Sequence, residues 1–378
     1  MVSRKDVIRC YQSLLGREPE SEATMRAQMN HQSLNTLKNE ILASPEYQYK
    51  IRMAESREAA AKAALELFPT SSRDNSAAPM PNGSIPNSPK WLVIGNCQTT
   101  GLANSLTILS PDIEVESCDI WQLSKDKEFW LAKLASYEHL IVLSDCQYSN
   151  LVDFSKYQNI TWFPSFIFRA FHPDMCYVNC PDGILKSPMD EYNSCLVFAA
   201  YQANLSIEET SQLFSDNVYR DIGFYSFWEH EKALLIERFD ECGLDIRSSL
   251  VRWIRAGCFM HSMNHPKINA VYDIALLMTK KIRSKYVNSP IRPHDNLIVG
   301  PIYPIYPEIA EQFGLKDGSY LFKPMGSYKQ MELDAFIEGS FQVYQHYAKH
   351  ELTIYPLYEE TYKRITAYIT ERKHGQPL

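Results

Sequence analysis

The sequence lacks a basic excess. Its 378 residues carry 38 Lys and Arg against 45 Asp and Glu, a formal net charge of -7. No positive field is available for a nucleic-acid backbone, so nucleic acid is not an expected partner. Long apolar runs are also missing. None approaches the roughly 18–20 residues that span a bilayer, and the opening Met1-Val2-Ser3-Arg4-Lys5-Asp6 leads into an amphipathic pattern, not a signal-peptide core. The expectation is a cytoplasmic protein with no transmembrane segment. Neither a Walker A loop nor G-x-G-x-x-G occurs, which removes the familiar nucleotide-binding fingerprints. The G-x-S-x-G elbow of serine hydrolases is absent as well. Cysteine is present without zinc spacing. Nine cysteines (Cys10, Cys97, Cys118, Cys146, Cys176, Cys180, Cys195, Cys242, Cys258) are scattered along the chain, and Cys176 and Cys180 have no second Cys or His pair beside them. Free thiols in a reducing compartment and no metal are expected.

What is present suits two domains of unequal size. The chain is 45% hydrophobic, enough for a sizeable core. Residues 1–68 read as a small helical accessory domain. Val7, Ile8, Tyr11, Leu14 and Leu15 form one helical face stopped by Gly16, and Ser33 caps a helix carrying Leu34, Leu37, Ile41 and Leu42. Ser44-Pro45-Glu46 opens a third helix, running to about Phe68. The stretch Pro69–Pro89 holds five Pro, five Ser, three Asn and one Gly in 21 residues, a linker composition that cannot bury enough apolar surface to fold. The remainder, 90–378, reads as one α/β domain whose C-terminal part is helical.

The domain opens on Trp91-Leu92-Val93-Ile94-Gly95-Asn96-Cys97-Gln98, an apolar strand ending where Leu102, Leu106 and Leu109 start a helix. Further strands at Ile113–Glu116, His139–Leu143 and Asn159–Phe163 alternate with helical stretches, the pattern of a doubly wound, mostly parallel sheet. Such sheets bind ligands at the carboxyl ends of their strands. Asn96, Cys97 and Gln98 after one strand and Ser144 and Asp145 after another fall on that edge. A thiol at a helix N-terminus is expected to be shifted toward thiolate. Gly95-Asn96-Cys97 also sits where a Gly-Asp-Ser esterase places its nucleophile.

Three further polar clusters follow: Arg169-Ala170-Phe171-His172-Pro173-Asp174, His261-Ser262-Met263-Asn264-His265-Pro266 and Arg292-Pro293-His294-Asp295-Asn296. His172, His265 or His294 can supply an imidazole base, and Asp174, Asp145 or Asp295 can orient it. Each also has a structural reading. A His before Pro marks a turn, Ser144-Asp145 suits a helix cap, and Arg169 suits either a salt bridge or a phosphate.

Val93-Ile94-Gly95-Asn96-Cys97-Gln98, Phe171-His172-Pro173-Asp174-Met175-Cys176-Tyr177, Asn264-His265-Pro266 and Pro301-Ile302-Tyr303-Pro304 resemble, in order and spacing, the WcbI-type capsular polysaccharide biosynthesis proteins over about residues 90–350. Tyr11-Gln12-Ser13-Leu14-Leu15-Gly16-Arg17-Glu18-Pro19 and Ser44-Pro45-Glu46-Tyr47 resemble a helical domain of unknown function appended to bacterial surface and glycan-related proteins. This second resemblance implies an accessory or docking role toward polysaccharide assembly proteins. The first implies coenzyme A or acetyl-CoA as donor, acetyl transfer to a hydroxyl of a glycan or sugar-nucleotide acceptor, and no metal. The catalytic candidates are then Cys97, His172, His265 and Asp174. Those for contacting CoA are Gly95, Asn96, Gln98, Ser144, Asp145, Arg169, Asn264 and His294. In the simplest scheme His172 or His265 deprotonates the acceptor, and the Gly95–Gln98 corner stabilises the oxyanion. The alternatives are a ping-pong scheme through Cys97, an SGNH-like hydrolase acting on an acylated glycan, and a non-catalytic CoA- or glycan-binding module.

Overall fold

The computed structural model describes residues 2–15, 19, 21–44, 88–148 and 151–375. The expected helix beyond Ser44 and nearly all of the expected linker lie outside these residues. The chain divides into two compact units, Met1–Pro81 with Pro181–Ile184, and Asn82–Cys180 with Leu185–Leu378.

In the first unit α1 (Arg4–Leu15), α2 (Glu22–Met29) and α3 (Leu34–Ala43) enclose a small core of Val7, Cys10, Tyr11, Met25, Leu37 and Ile41. Ser21 and Ser33 start the second and third helices, each accepting a 3.1 Å hydrogen bond from a backbone N–H three residues on. Side-chain oxygens satisfy helix-end donors that have no intrahelical partner.

The second unit is an α/β fold. Strands β1 (Lys90–Gly95), β2 (Glu114–Asp119), β3 (His139–Leu143) and β4 (Ile160–Phe163) form a parallel sheet in the order β2-β1-β3-β4. In β1, Trp91 to Gly95 are all buried, which is why this strand reads as an unbroken apolar run and lies inside the sheet. β2 is on an edge, and of its six residues only Cys118 is buried. The chain leaves β1 to one side for β2 and returns to its other side for β3. The topological switch point therefore falls between the carboxyl ends of β1 and β3.

Helix α4 (Thr99–Leu109) follows β1 directly and buries Leu102, Leu106 and Leu109. It packs against α7 (Ile268–Ile282), and a side chain at Gly101 would lie 3.3 Å from Ile268 Cδ1. The C-terminal part is mainly helical, with α5 (Cys195–Gln202), α6 (Phe227–Glu241), α8 (Leu333–Tyr344) and α9 (Glu359–Gly375) among its longer elements. A knot of Phe166, Phe168, Phe171, Trp253 and Phe259, with ring centroids 4.9–6.0 Å apart, anchors the segment after β4. Edge-to-face and tilted pairs of this kind each add about 0.5–1.5 kcal/mol beyond area burial. Among the described residues, no helix is long and apolar enough to cross a membrane.

Candidate active site

The corner after β1 is wound tightly on itself. Asn96 Oδ1 accepts from the Gln98 backbone N–H at 3.1 Å, and the Asn96 carbonyl accepts from the Thr99 N–H at 3.0 Å. Gly95 has no room for a side chain, since a Cβ there would lie 3.0 Å from both the Phe163 ring and Thr99 Oγ1. Gln98 is buried, and its amide donates to the carbonyls of Phe166 (3.3 Å) and Asn264 (3.0 Å). That amide stitches two distant segments to the corner and is spent there, which corrects its expected role as an oxyanion donor. Asn96 keeps its amide N–H lightly engaged, 3.5 Å from Ser165 Oγ. Ser165 in turn donates to Asp145 Oδ2 at 2.9 Å, so the ends of β1 and β3 do meet on one edge.

The expected thiolate does not form. Cys97 is half-buried, and burial pushes its thiol up to about 11, with a hydrogen bond from its own backbone N–H pulling the other way and Asp119 adding to the rise. Desolvation of the charged form outweighs the helix terminus here.

The segment that Gln98 holds is a short hairpin, β5 (Met260–Ser262) paired antiparallel with β6 (His265–Pro266). Asn264 at its turn accepts on Oδ1 from the Tyr192 hydroxyl at 2.6 Å and from Ser262 Oγ at 3.2 Å, and donates to the Tyr177 hydroxyl at 3.2 Å. Tyr192 Oη also lies 3.3 Å from His265 Nε2. The hydroxyl has one proton and gives it to Asn264, so it can only accept from His265. The imidazole is therefore the Nε2–H tautomer, and its lone pair is on Nδ1. Nδ1 is buried and has no hydrogen-bond partner among the described residues. Burial, helped by His261, lowers the His265 pKa to about 4, against an opposing pull from Asp295. The ring is neutral at physiological pH. Beside it His261 Nε2 lies 2.9 Å from Asp295 Oδ2, which also accepts from the Ile268 N–H. Burial raises Asp295, but these hydrogen bonds win and hold it below the usual carboxylate range.

Three expected partnerships are not made. His172 is only 2% exposed, with Nε2 bonded to the Tyr303 carbonyl at 2.9 Å and its ring against Phe171 and Tyr303. Burial drives its pKa down to about 3. It is a core histidine. Asp174 does not orient it. Its Oδ1 accepts from the Leu196 N–H at 2.8 Å at the start of α5, and its Oδ2 from the Tyr306 hydroxyl at 2.6 Å. Burial raises this carboxyl to about 6 despite those bonds. His294 is exposed, and the neighbouring Asp295 serves His261 instead.

Arg169 lies with its Cζ 4.9 Å from the Phe227 ring and 4.9 Å from the Tyr358 ring. Tyr192 was not legible as a site residue: one of 23 tyrosines, it lies in no motif. A groove of about 680 Å³ lies on the β3–β4 connection, among Val152, Phe154, Tyr157 and Trp162. It involves neither Cys97 nor His265.

Sheet, switch point and polar edge together define an α/β fold with a candidate site at the carboxyl ends of its parallel strands. The chain belongs to the WcbI family of polysaccharide biosynthesis enzymes, whose pattern matches residues 90–284. Among solved structures it is similar to one described as WcbI, a novel polysaccharide biosynthesis enzyme, in a native form without a disulfide bond between coenzyme A and a cysteine. That match has a TM-score of 0.59 and 17% identity over 74% of this chain and 95% of the other, a likeness of fold. No curated protein matches.

Proposed function

We propose that this chain transfers an acyl group, most simply acetyl, from coenzyme A to a glycan hydroxyl, with His265 Nδ1 as the general base. The observation that carries this is the place of the His265 lone pair: on a neutral ring fixed in tautomer by Tyr192, on the hairpin that Gln98 ties to the corner, and without a partner among the described residues; the Nδ1 of His172 is equally unpartnered but enclosed in the core. Family membership supplies the glycan, and the solved relative's coenzyme A suggests the donor. When bound, coenzyme A supplies the acyl group as a thioester. Cys97, half-buried at the corner, marks the place for its sulfur end, with Asn96 beside it. Ser144, on the same edge, and His294 remain candidates for its more polar parts. The domain reading, an accessory helical unit preceding this catalytic one, and a cytoplasmic setting belong to the same proposal.

His265 Nδ1 takes the proton of the acceptor hydroxyl as its oxygen attacks the acyl carbon, and the imidazolium returns that proton to the coenzyme A sulfur as the C–S bond breaks. The Tyr192 oxygen holds Nε2–H, and the Asp295 carboxylate, one ring away through His261, favours the imidazolium that forms. Asn96 Nδ2 is the donor we assign to the oxyanion, because its 3.5 Å bond to Ser165 is easily exchanged. Losing one such donor costs about 2.7–4 kcal/mol in the barrier. A protonated Cys97 argues for direct transfer over a covalent acyl-enzyme. The test is acetyl transfer from acetyl-CoA to a sugar acceptor by the wild type, His265→Asn and Asn96→Ala. Full activity in His265→Asn would sink the assignment.

A further inference from the structure

The two buried guanidinium nitrogens of Arg169 have no role in the reaction above. Nε and Nη2 have no hydrogen-bond partner among the described residues. They are the two donors of one edge, whose N–H bonds run parallel and match a pair of anionic oxygens. The rings of Phe227 and Tyr358 flank the group at 4.9 Å each, so recognition is left to that edge. Glu231 is buried nearby but spends Oε2 on the Arg169 backbone N–H at 3.0 Å, not on the guanidinium. Buried donors without an acceptor are costly, and among the described residues none accepts from that edge.

This edge is tied to the proposed active site. The Phe168 N–H donates to the Met263 carbonyl at 2.8 Å, and the Tyr358 hydroxyl lies 3.3 Å from Met263 Sδ, both on the hairpin that carries His265. Tyr358 meets the Tyr177 ring at 5.8 Å, and Tyr177 stacks on Tyr192 at 5.9 Å. We infer that Arg169 receives a carboxylate carried by the acceptor, so that the glycan acceptor is an acidic sugar of the uronic acid class. The parallel Nε–H and Nη2–H bonds match the two oxygens of one carboxylate, whereas a phosphate would bring a further oxygen and a second negative charge into a desolvated place where Glu231 is already buried.

The inference deepens the acyl-transfer reading but is tested separately from it. Titration of the full chain with methyl β-D-glucuronide and with methyl β-D-glucoside should show at least tenfold tighter binding of the glucuronide. Arg169→Gln and Arg169→Lys should both erase that preference while leaving glucoside and coenzyme A affinities unchanged. The lysine variant keeps the charge without the fork, and it carries the test if Arg169→Gln fails to fold. Equal binding of the two sugars by the wild type, or no binding of either, overturns the inference. So does a loss of coenzyme A affinity in the folded variants, which would give the edge to a donor phosphate. A preserved glucuronide preference without acetyl transfer would instead count against the acyl-transfer reading alone.

Discussion

Gly300 offers a sharp test of the His265 assignment, because it separates chemistry from folding. Its backbone, at φ -63° and ψ 178°, is open to any L-residue. A Cβ there would stand 3.4 Å from both His265 Nδ1 and Cε1, and 3.2 Å from the Leu297 carbonyl. The first two are ordinary contacts and the third is slightly tight. Gly→Ala at a compatible position gains about 0.4–1 kcal/mol from the unfolded chain, so Gly300→Ala should change stability by less than about 1 kcal/mol. The new methyl group nevertheless fills the space beside the lone pair, where an acceptor hydroxyl must sit. A positioned base contributes about 10²–10⁴-fold, or roughly 2.7–5.4 kcal/mol at 1.36 kcal/mol per tenfold. Steady-state transfer from acetyl-CoA should therefore fall by at least about 100-fold with coenzyme A affinity unchanged. Adding Gly300→Ala to His265→Asn should cost nothing more, since the two act as one unit. Undiminished kcat/KM in a stable Gly300→Ala protein refutes the assignment of Nδ1.

Further outcomes follow from the same geometry. Cys97→Ala should keep most of the transferase activity, and alkylation of the Cys97 thiol should be slow at pH 7 and rise tenfold per pH unit toward its value of about 11. Abolished activity in both Cys97→Ala and Cys97→Ser would restore the covalent scheme. Asp174→Ala leaves the Leu196 N–H without its acceptor in the core and the Tyr306 hydroxyl with only the Tyr303 hydroxyl at 3.4 Å. At about 1–3 kcal/mol for a buried orphan, denaturant titration should show a loss of at least about 1–3 kcal/mol, with kcat per folded molecule unchanged. A selective loss of kcat would make Asp174 catalytic after all. His265, held near 4 when folded and near 6.5 when unfolded, binds its proton more readily in the unfolded chain. Its contribution is complete above pH 6.5 and is lost as pH falls toward 4, at about 1.4 kcal/mol per pH unit. His172, near 3 when folded, acts in the same direction, whereas Asp174, raised from 3.8 to about 6, acts in the opposite direction between those values. Urea titrations at pH 4.5, 5.5 and 6.5 should show a slope shallower by about 1.4 kcal/mol per unit in His265→Asn than in wild type. Identical slopes would place a solvated imidazole at position 265.

Much of the scaffold is determined locally and could be read from the chain. Trp91 to Ile94 is apolar on both faces because an interior parallel strand is covered on both, and His139–Leu143 likewise. Leu102, Leu106 and Leu109 keep the helical period because α4 has one buried side. Gly95 through Gln98 follows as a corner at the carboxyl edge, from order along the chain alone. Shorter elements escaped. Asp216–Asp221 and Pro307–Gln312 are six-residue helices too short to show a period, and Arg247–Ala256 has the period but is not read as a helix from the sequence.

The site itself was legible only as a set of residue types. Sequence placed Asn96, Cys97, Asn264 and His265 among the candidates but gave His172 and Asp174 equal standing. Protonation and partnership depend on what lies within a few ångströms, and chain separation carries no trace of it. Gln98 reaches Asn264 across 166 positions, and Tyr192 reaches His265 across 73. Burial then sorts the groups: it keeps Cys97 a thiol where the helix terminus alone would favour thiolate, and it encloses His172 among aromatic rings. The sequence by itself determined the strands, their parallel class and the chemical types along their carboxyl edge, because these follow from local period and order, whereas the strand order that sets the switch point is tertiary. Only the tertiary structure decided which imidazole lies on the hairpin tied to the corner and which is enclosed in the core, and which guanidinium edge finds no acceptor among the described residues, because desolvation and hydrogen-bond pairing act between residues far apart in the chain.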